Sequence, residues 1–117
     1  QKKGYARYLR SEFGKRCLRI LVADDGSKIV GYCSCRIEAP RPYAVPKRIG
    51  KLQEAFVLPN HRGKGLAKSM VRDQLAWFRR NRLKHVELSV DSRNPLGLAA
   101  WHRLGFRERM KKMMLEL

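Results

Sequence analysis

At 117 residues the chain is long enough for one domain with a real core and too short for two, and its apolar content of 44% is that of an ordinary globular protein. No apolar run approaches the length that crosses a bilayer and no signal-peptide pattern opens the chain, so the expectation is a cytoplasmic protein with no membrane partner. A net charge of +17 attracts polyanions such as nucleic acid, ribosomes and phosphate-bearing cofactors; without an RNA- or DNA-binding motif, a solvated basic surface explains the same charge.

In chain order, Gly4 to Phe13 reads as a short helix with Tyr5, Tyr8, Leu9 and Phe13 on one side. Cys17 to Ala23 is an expected strand, Asp24-Asp25-Gly26-Ser27 a hairpin turn, and Lys28 to Ile37 the antiparallel partner. Cys33 and Cys35 stand two apart on that strand, and three cysteines in all suit neither a disulfide framework nor zinc, so no metal site is expected. Pro40, Pro42 and Pro46 enforce a loop, after which Arg48 to Leu58 is another strand.

Gly63 to Arg82 has the periodicity of a long helix burying Leu66, Met70, Val71, Leu75 and Phe78. His85 to Val90 alternates as a strand. Asn94 to Leu104 is a second helix with Asn94 as a cap, Pro95 in its first turn and Gly105 as its stop. Phe106 to Leu117 reads as a last strand. The pattern implies an α/β fold in one domain, residues 1–117, with a single mixed, mostly antiparallel sheet and helices on both faces.

The most informative segment is Phe56-Val57-Leu58-Pro59-Asn60-His61-Arg62-Gly63-Lys64-Gly65-Leu66-Ala67, an apolar strand turning through a basic glycine loop into a helix. Gly63 and Gly65 allow close backbone approach, the first helical N–H groups have no internal partner, and the helix dipole favours an anion. Arg62 and Lys64 add positive charge. No Lys-Ser or Lys-Thr follows at the offset a Walker loop requires, and the Rossmann spacing of three glycines is missing.

This segment, together with the later run from Asn94 to Phe106, resembles the GNAT superfamily of N-acetyltransferases. Arg62, Gly65 and Ala67 match the family's acyl-CoA signature, and the resemblance runs from about Cys17 to the end of the chain. It implies that acetyl-CoA is the cofactor. Amides from Arg62 through Gly63, Lys64, Gly65, Leu66 and Ala67 would cradle its pyrophosphate, and the backbone of Phe56, Val57 and Leu58 would bind the pantetheine arm. Asn94 would contact that arm as well as cap its helix.

By the same resemblance, the reaction is direct acetyl transfer to a primary amine through a tetrahedral intermediate. A free amine with a pKa of about 10.4 is mostly charged at neutral pH, so a general base is required. Glu54, three residues before Val57, is the candidate; an exposed strand carboxylate paired with a neighbouring cation is the plainer alternative. Ser89 matches the family's other base position better than Glu87. The oxyanion would meet a backbone N–H near Val57 or Leu58.

Trp101 stands where many members of the family carry the tyrosine that protonates the departing thiolate. Indole cannot act as that acid, so either His102, Tyr43 or water takes the role or the thiolate leaves without help, while Trp101 packs in the core or against the pantetheine arm. The family's usual first strand and helix precede the segment matched by Gly4 to Phe13, which implies an N-terminally incomplete domain or an edge completed by a homodimer. The rival reading is a non-catalytic module of the same fold that binds acyl-CoA or nucleic acid.

Overall fold

The computed structural model describes residues 6–10, 18–38 and 48–117, the first segment by its backbone alone. Its elements are β1 (Ala6–Arg10), β2 (Leu18–Asp24), β3 (Ile29–Glu38), β4 (Ile49–Val57), a 3-10 turn (Pro59–His61), α1 (Leu66–Arg80), β5 (Val86–Glu87) and α2 (Pro95–Arg103). The five strands form one sheet in the order β1-β2-β3-β4-β5. Pairs from β1 to β4 are antiparallel and β4–β5 is parallel, which is the mixed, mostly antiparallel sheet expected.

One face of the sheet is covered by α1. Leu21 and Ala23 of β2, Val30, Cys33 and Cys35 of β3, and Leu52 and Val57 of β4 pack with Leu66, Met70, Val71 and Phe78 of the helix in one core. Met70 and Gln74 are four residues apart and both fully buried, so the helix turns a polar side chain into that core. Gln74 is satisfied there. Its Nε2 donates to the carbonyls of Cys33 (2.8 Å) and Arg19 (3.2 Å), and its Oε1 accepts from Arg19 Nη1 (3.0 Å). Arg19 also donates to the Asp73 carbonyl at 3.1 Å and lies 5.6 Å from the Trp77 ring centre. The network ties the middle of α1 to two strands through groups that would cost free energy if left unpaired.

The helix ends in a tight cap. Leu83 N–H reaches back to the Phe78 carbonyl at 3.1 Å, and Arg82 sits at φ 64°, in the left-handed seat that glycine usually fills.

Three expectations change here. The segment read as a helix from Gly4 to Phe13 is strand β1 over Ala6–Arg10, with its other residues outside the described ones. Pairing of every residue of β1 with β2, from Ala6↔Asp24 to Arg10↔Ile20, outweighs a weak local helix pattern. His85 to Val90 contributes only the two-residue β5. Phe106 to Leu117 forms no strand: its residues after Phe106 are exposed, and β5 offers too short an edge to pair with. Pro40, Pro42, Tyr43, Pro46 and Cys17 lie outside the described residues.

No helix among the described residues is long and apolar enough to cross a membrane.

Candidate active site

The site begins with a fault in the sheet. In the β3–β4 ladder Ser34 faces Glu54 and Cys35 faces Leu52, so Gln53 is an extra residue, a bulge. Bulges bend and twist the strand that carries them. The parallel β4–β5 ladder runs from Gly50↔Val86 to Lys51↔Glu87 and stops just before that bulge. Beyond it the two strands part.

Into the gap opens a cleft of about 390 Å³, lined among others by Tyr32, Glu54, Phe56, Ser89, Asn94 and Trp101. Four of the residues expected at the site, Glu54, Phe56, Asn94 and Trp101, are thus brought together.

Register identifies the free backbone groups. Leu58 N–H donates to the Val30 carbonyl at 2.8 Å, so Leu58 points toward β3. Strand alternation then turns the amides of Ala55 and Val57 to the open side. Of the two residues expected to hold an oxyanion donor, only Val57 retains its N–H for that use.

The glycine loop follows directly. Pro59–His61 forms the 3-10 turn, closed by Arg62 N–H donating to the Pro59 carbonyl at 3.3 Å. The Arg62 amide is therefore already used, and a cradle of donors starts at Gly63 rather than at Arg62. Gly63 and Gly65 have φ of 78° and 77°, a conformation that side-chain-bearing residues adopt only at a cost. The α1 ladder begins with Ser69 N–H donating to the Gly65 carbonyl at 3.0 Å, and no side chain caps the helix. The amides of Leu66, Ala67 and Lys68 precede that first bond and point out of the N-terminus, where the dipole favours an anion.

Arg62 braces the loop instead of reaching outward. Its Nε donates to the Val57 carbonyl at 2.7 Å, and its guanidinium lies 5.4 Å from the centre of the exposed Phe56 ring. One side chain thereby fixes the loop to the last residues of β4. His61 ties the other flank: its Nε2 lies 3.9 Å from Asp25 Oδ2 in the β2–β3 turn. Amides of Ser27 and Lys28, with a smaller contribution from His61, hold the Asp25 carboxyl down at about 2.

Two carboxylates line the cleft, and they differ. Asp91 is held by Arg93 (Nη2 to Oδ2 2.9 Å, Nε to Oδ1 3.1 Å), which with the Arg93 amide keeps its pKa at about 2. Glu54 has no ion-pair partner among the described residues. The exposed carboxylate paired with a cation, weighed for Glu54, is realised by Asp91 instead.

Asn94 caps α2 through Oδ1, which accepts from Gly97 N–H at 3.0 Å, and is among the residues lining the cleft. Trp101 does two jobs: it packs edge-on to Phe106 with ring centres 5.6 Å apart and lines the cleft. His102 is exposed and does not line it, whereas Tyr32, its ring centre 6.0 Å from that of Phe56 at a 37° tilt, is among the lining residues. Sequence reading passed over Tyr32 because its position opposite Phe56 exists only once strands pair. Ser89 lines the cleft and Glu87 is not among its lining residues; two residues apart, they would share one face of a continuous strand, but β5 ends at Glu87 and Ser89 lies beyond it.

Cys33 and Cys35 are free and buried, with burial pushing each thiol up to about 12, so neither serves as a nucleophile. No group of three or more His, Cys, Asp or Glu among the described residues is placed to hold a metal.

The chain matches the model of the acetyltransferase (GNAT) family over residues 1–106. Among curated proteins none matches it. Aminoglycoside N-acetyltransferase AAC(6')-Iy, solved in complex with CoA, superposes with a TM-score of 0.76 at 18% identity over 89% of this chain and 69% of that one. A tetramutant of the BH1408 protein from Bacillus halodurans gives 0.77 at 20% identity, covering 89% and 69%. An aminoglycoside acetyltransferase from an uncultured soil metagenomic sample gives 0.73 at 16%, covering 89% and 68%. At these identities the likeness is one of fold.

Proposed function

Because the chain belongs to the GNAT acetyltransferase family, we propose that it moves an acetyl group from acetyl-CoA to a primary amine, with the chemistry in the cleft between β4 and β5. The observation that carries this reading is the unpaired Glu54 in the same cleft as an open β4 edge that runs into the glycine loop. The positive φ of Gly63 and Gly65 and the outward amides of α1 suit a pyrophosphate, and the edge amide of Ala55 suits the amide-bearing pantetheine arm.

Acetyl-CoA, when bound, supplies the acetyl thioester. Glu54 takes the proton that the amine sheds as its nitrogen bonds to the acetyl carbon. Val57 N–H meets the carbonyl oxygen as it gains charge. The phenol of Tyr32, in the same cleft, would give the departing thiolate its proton, the role that Trp101 cannot fill. A thiol pKa near 8.5 makes this an undemanding step.

Calorimetric titration of acetyl-CoA, coenzyme A and ATP tests the reading. Micromolar binding of the first two, weak binding of ATP, and loss of binding in Gly65→Val support it. Equal affinity for all three, or undiminished binding by Gly65→Val, would overturn it. With binding in hand, release of coenzyme A over a panel of primary amines identifies the acceptor class.

A further inference from the structure

A second cleft, of about 320 Å³, lies between the helices and is lined by Arg72, Leu75 and Arg79 of α1 with Arg103 and Leu104 at the end of α2. It is remote from the phosphate loop: Arg72 and Arg79 stand 6 and 13 residues beyond the first residue of α1, about 9 and 20 Å along the helix axis. Three arginines line it, all exposed, and none has an ion-pair partner among the described residues. Such an arrangement repels itself unless an anion enters it.

A second observation points the same way. Arg82, three residues past Arg79, occupies the left-handed seat at the end of α1 with φ 64°. Glycine would sit there without strain. A cation is held at a position where the backbone disfavours it, beside other exposed cations at Arg80 and Lys84. Strain of this kind is retained where the side chain has work to do.

We propose that this cleft and the adjoining end of α1 dock the phosphate backbone of a nucleic-acid strand. Guanidinium forks match phosphate oxygens in pairs. Arg72 and Arg79, spaced by about 10 Å along the axis, are far enough apart to engage separate phosphates of one strand, with Arg103 at the end of α2 lining the same cleft. An acidic protein would need an apolar centre to its interface; only Leu75 and Leu104, both half-buried, lie between these arginines. The net charge of +17 supplies the long-range attraction, and the cleft gives it a place to dock.

The test is fluorescence anisotropy with a labelled 20-nucleotide single-stranded RNA across about 50–200 mM KCl. Arg72→Gln/Arg79→Gln/Arg103→Gln is compared with Lys28→Gln/Arg48→Gln/Lys111→Gln, which removes three exposed charges elsewhere. Both variants fall equally from +17 to +14. The cleft variant is expected to bind on the order of 100-fold more weakly at ~0.1 M salt and to lower the log–log salt slope by about 2, as three lost phosphate contacts require. The control should lose far less. Equal weakening by both variants, or an unchanged slope in the cleft variant, would overturn the proposal. So would oligoglutamate competing as well as unlabelled RNA.

Arg82→Gly supplies an independent arm. It should raise Tm by roughly 3–6 °C while weakening RNA binding by about fivefold; a gain in Tm with full RNA affinity removes Arg82 from the surface. Acetyl-CoA affinity of the cleft variant should match the wild type, which separates this proposal from the acetyl-transfer reading. Its loss would place the three arginines in the cofactor site and overturn the proposal.

Discussion

Replacing Arg62 tests whether the loop is held by geometry or by charge. Its Nε–Val57 hydrogen bond is 2.7 Å long with a charged donor. Such bonds contribute about 1.5–3 kcal/mol when buried, and about 1 kcal/mol is a fair figure for an exposed residue. Stacking over Phe56 at 5.4 Å adds about 0.5–1 kcal/mol. Arg62→Gln forgoes both, about 1.5–2 kcal/mol, and if the loop must be ordered for acetyl-CoA to bind, the cofactor's Kd rises by about 10- to 30-fold. Arg62→Lys keeps the charge but not the planar fork. Under the bracing argument it should weaken binding nearly as much, with little dependence on salt. Calorimetry of both variants at two ionic strengths decides the matter. Wild-type affinity in Arg62→Lys, with a defect in Arg62→Gln that salt diminishes, would refute bracing in favour of plain attraction to phosphate.

Glu54→Gln should lower kcat about 100-fold or more with acetyl-CoA affinity unchanged in the same preparation; wild-type turnover would remove Glu54 as the base. Gln74→Leu strands the Cys33 and Arg19 carbonyls in the core and should cost about 2–4 kcal/mol, read as a fall in denaturation midpoint at constant m, and a loss below about 1 kcal/mol would show that solvent or repacking satisfies them. Burial raises the thiols of Cys33 and Cys35 from 9.0 to about 12, so the folded chain keeps protons that the unfolded chain gives up. Their contribution is complete below pH 9 and is lost as pH climbs toward 12, so stability should fall over that window. A Cys33→Ala/Cys35→Ala variant should flatten that decline, and the folded wild type should resist iodoacetamide at pH 8; rapid labelling there would contradict the burial.

What was legible in the sequence was whatever depends on near neighbours. The hairpin around Asp25-Gly26, the strand leading to Val57, the glycine loop and the cap at Asn94 all follow from a few adjacent residues, and each stands within a residue or three of its expected bounds. Gln74 was readable in principle, since it falls four residues after Met70 on the buried face, but apolar periodicity passes over a polar side chain. What could not be read depends on pairing. The strand at Ala6–Arg10 is fixed by β2, and the bulge at Gln53 is defined only against β3. The separate fates of Glu54 and Asp91 depend on Arg93 closing on one and not the other. Leu58 and Val57 look equivalent until Val30 claims one amide.

The early halt of the β4–β5 ladder divides the labour of inheritance. Under the proposed reading, recognition along the open stretch of β4 is written in peptide groups, which every residue but proline supplies alike, so mutation there rarely erases it. The side chains that line the cleft without a part in the proposed chemistry, a brace or a cap, Gln53, Leu88 and Val90 among them, stay at liberty to vary. A lineage built on this plan can exchange one acceptor for another while leaving the cofactor's seat untouched, and two chains can drift far apart in sequence with the cleft still in place.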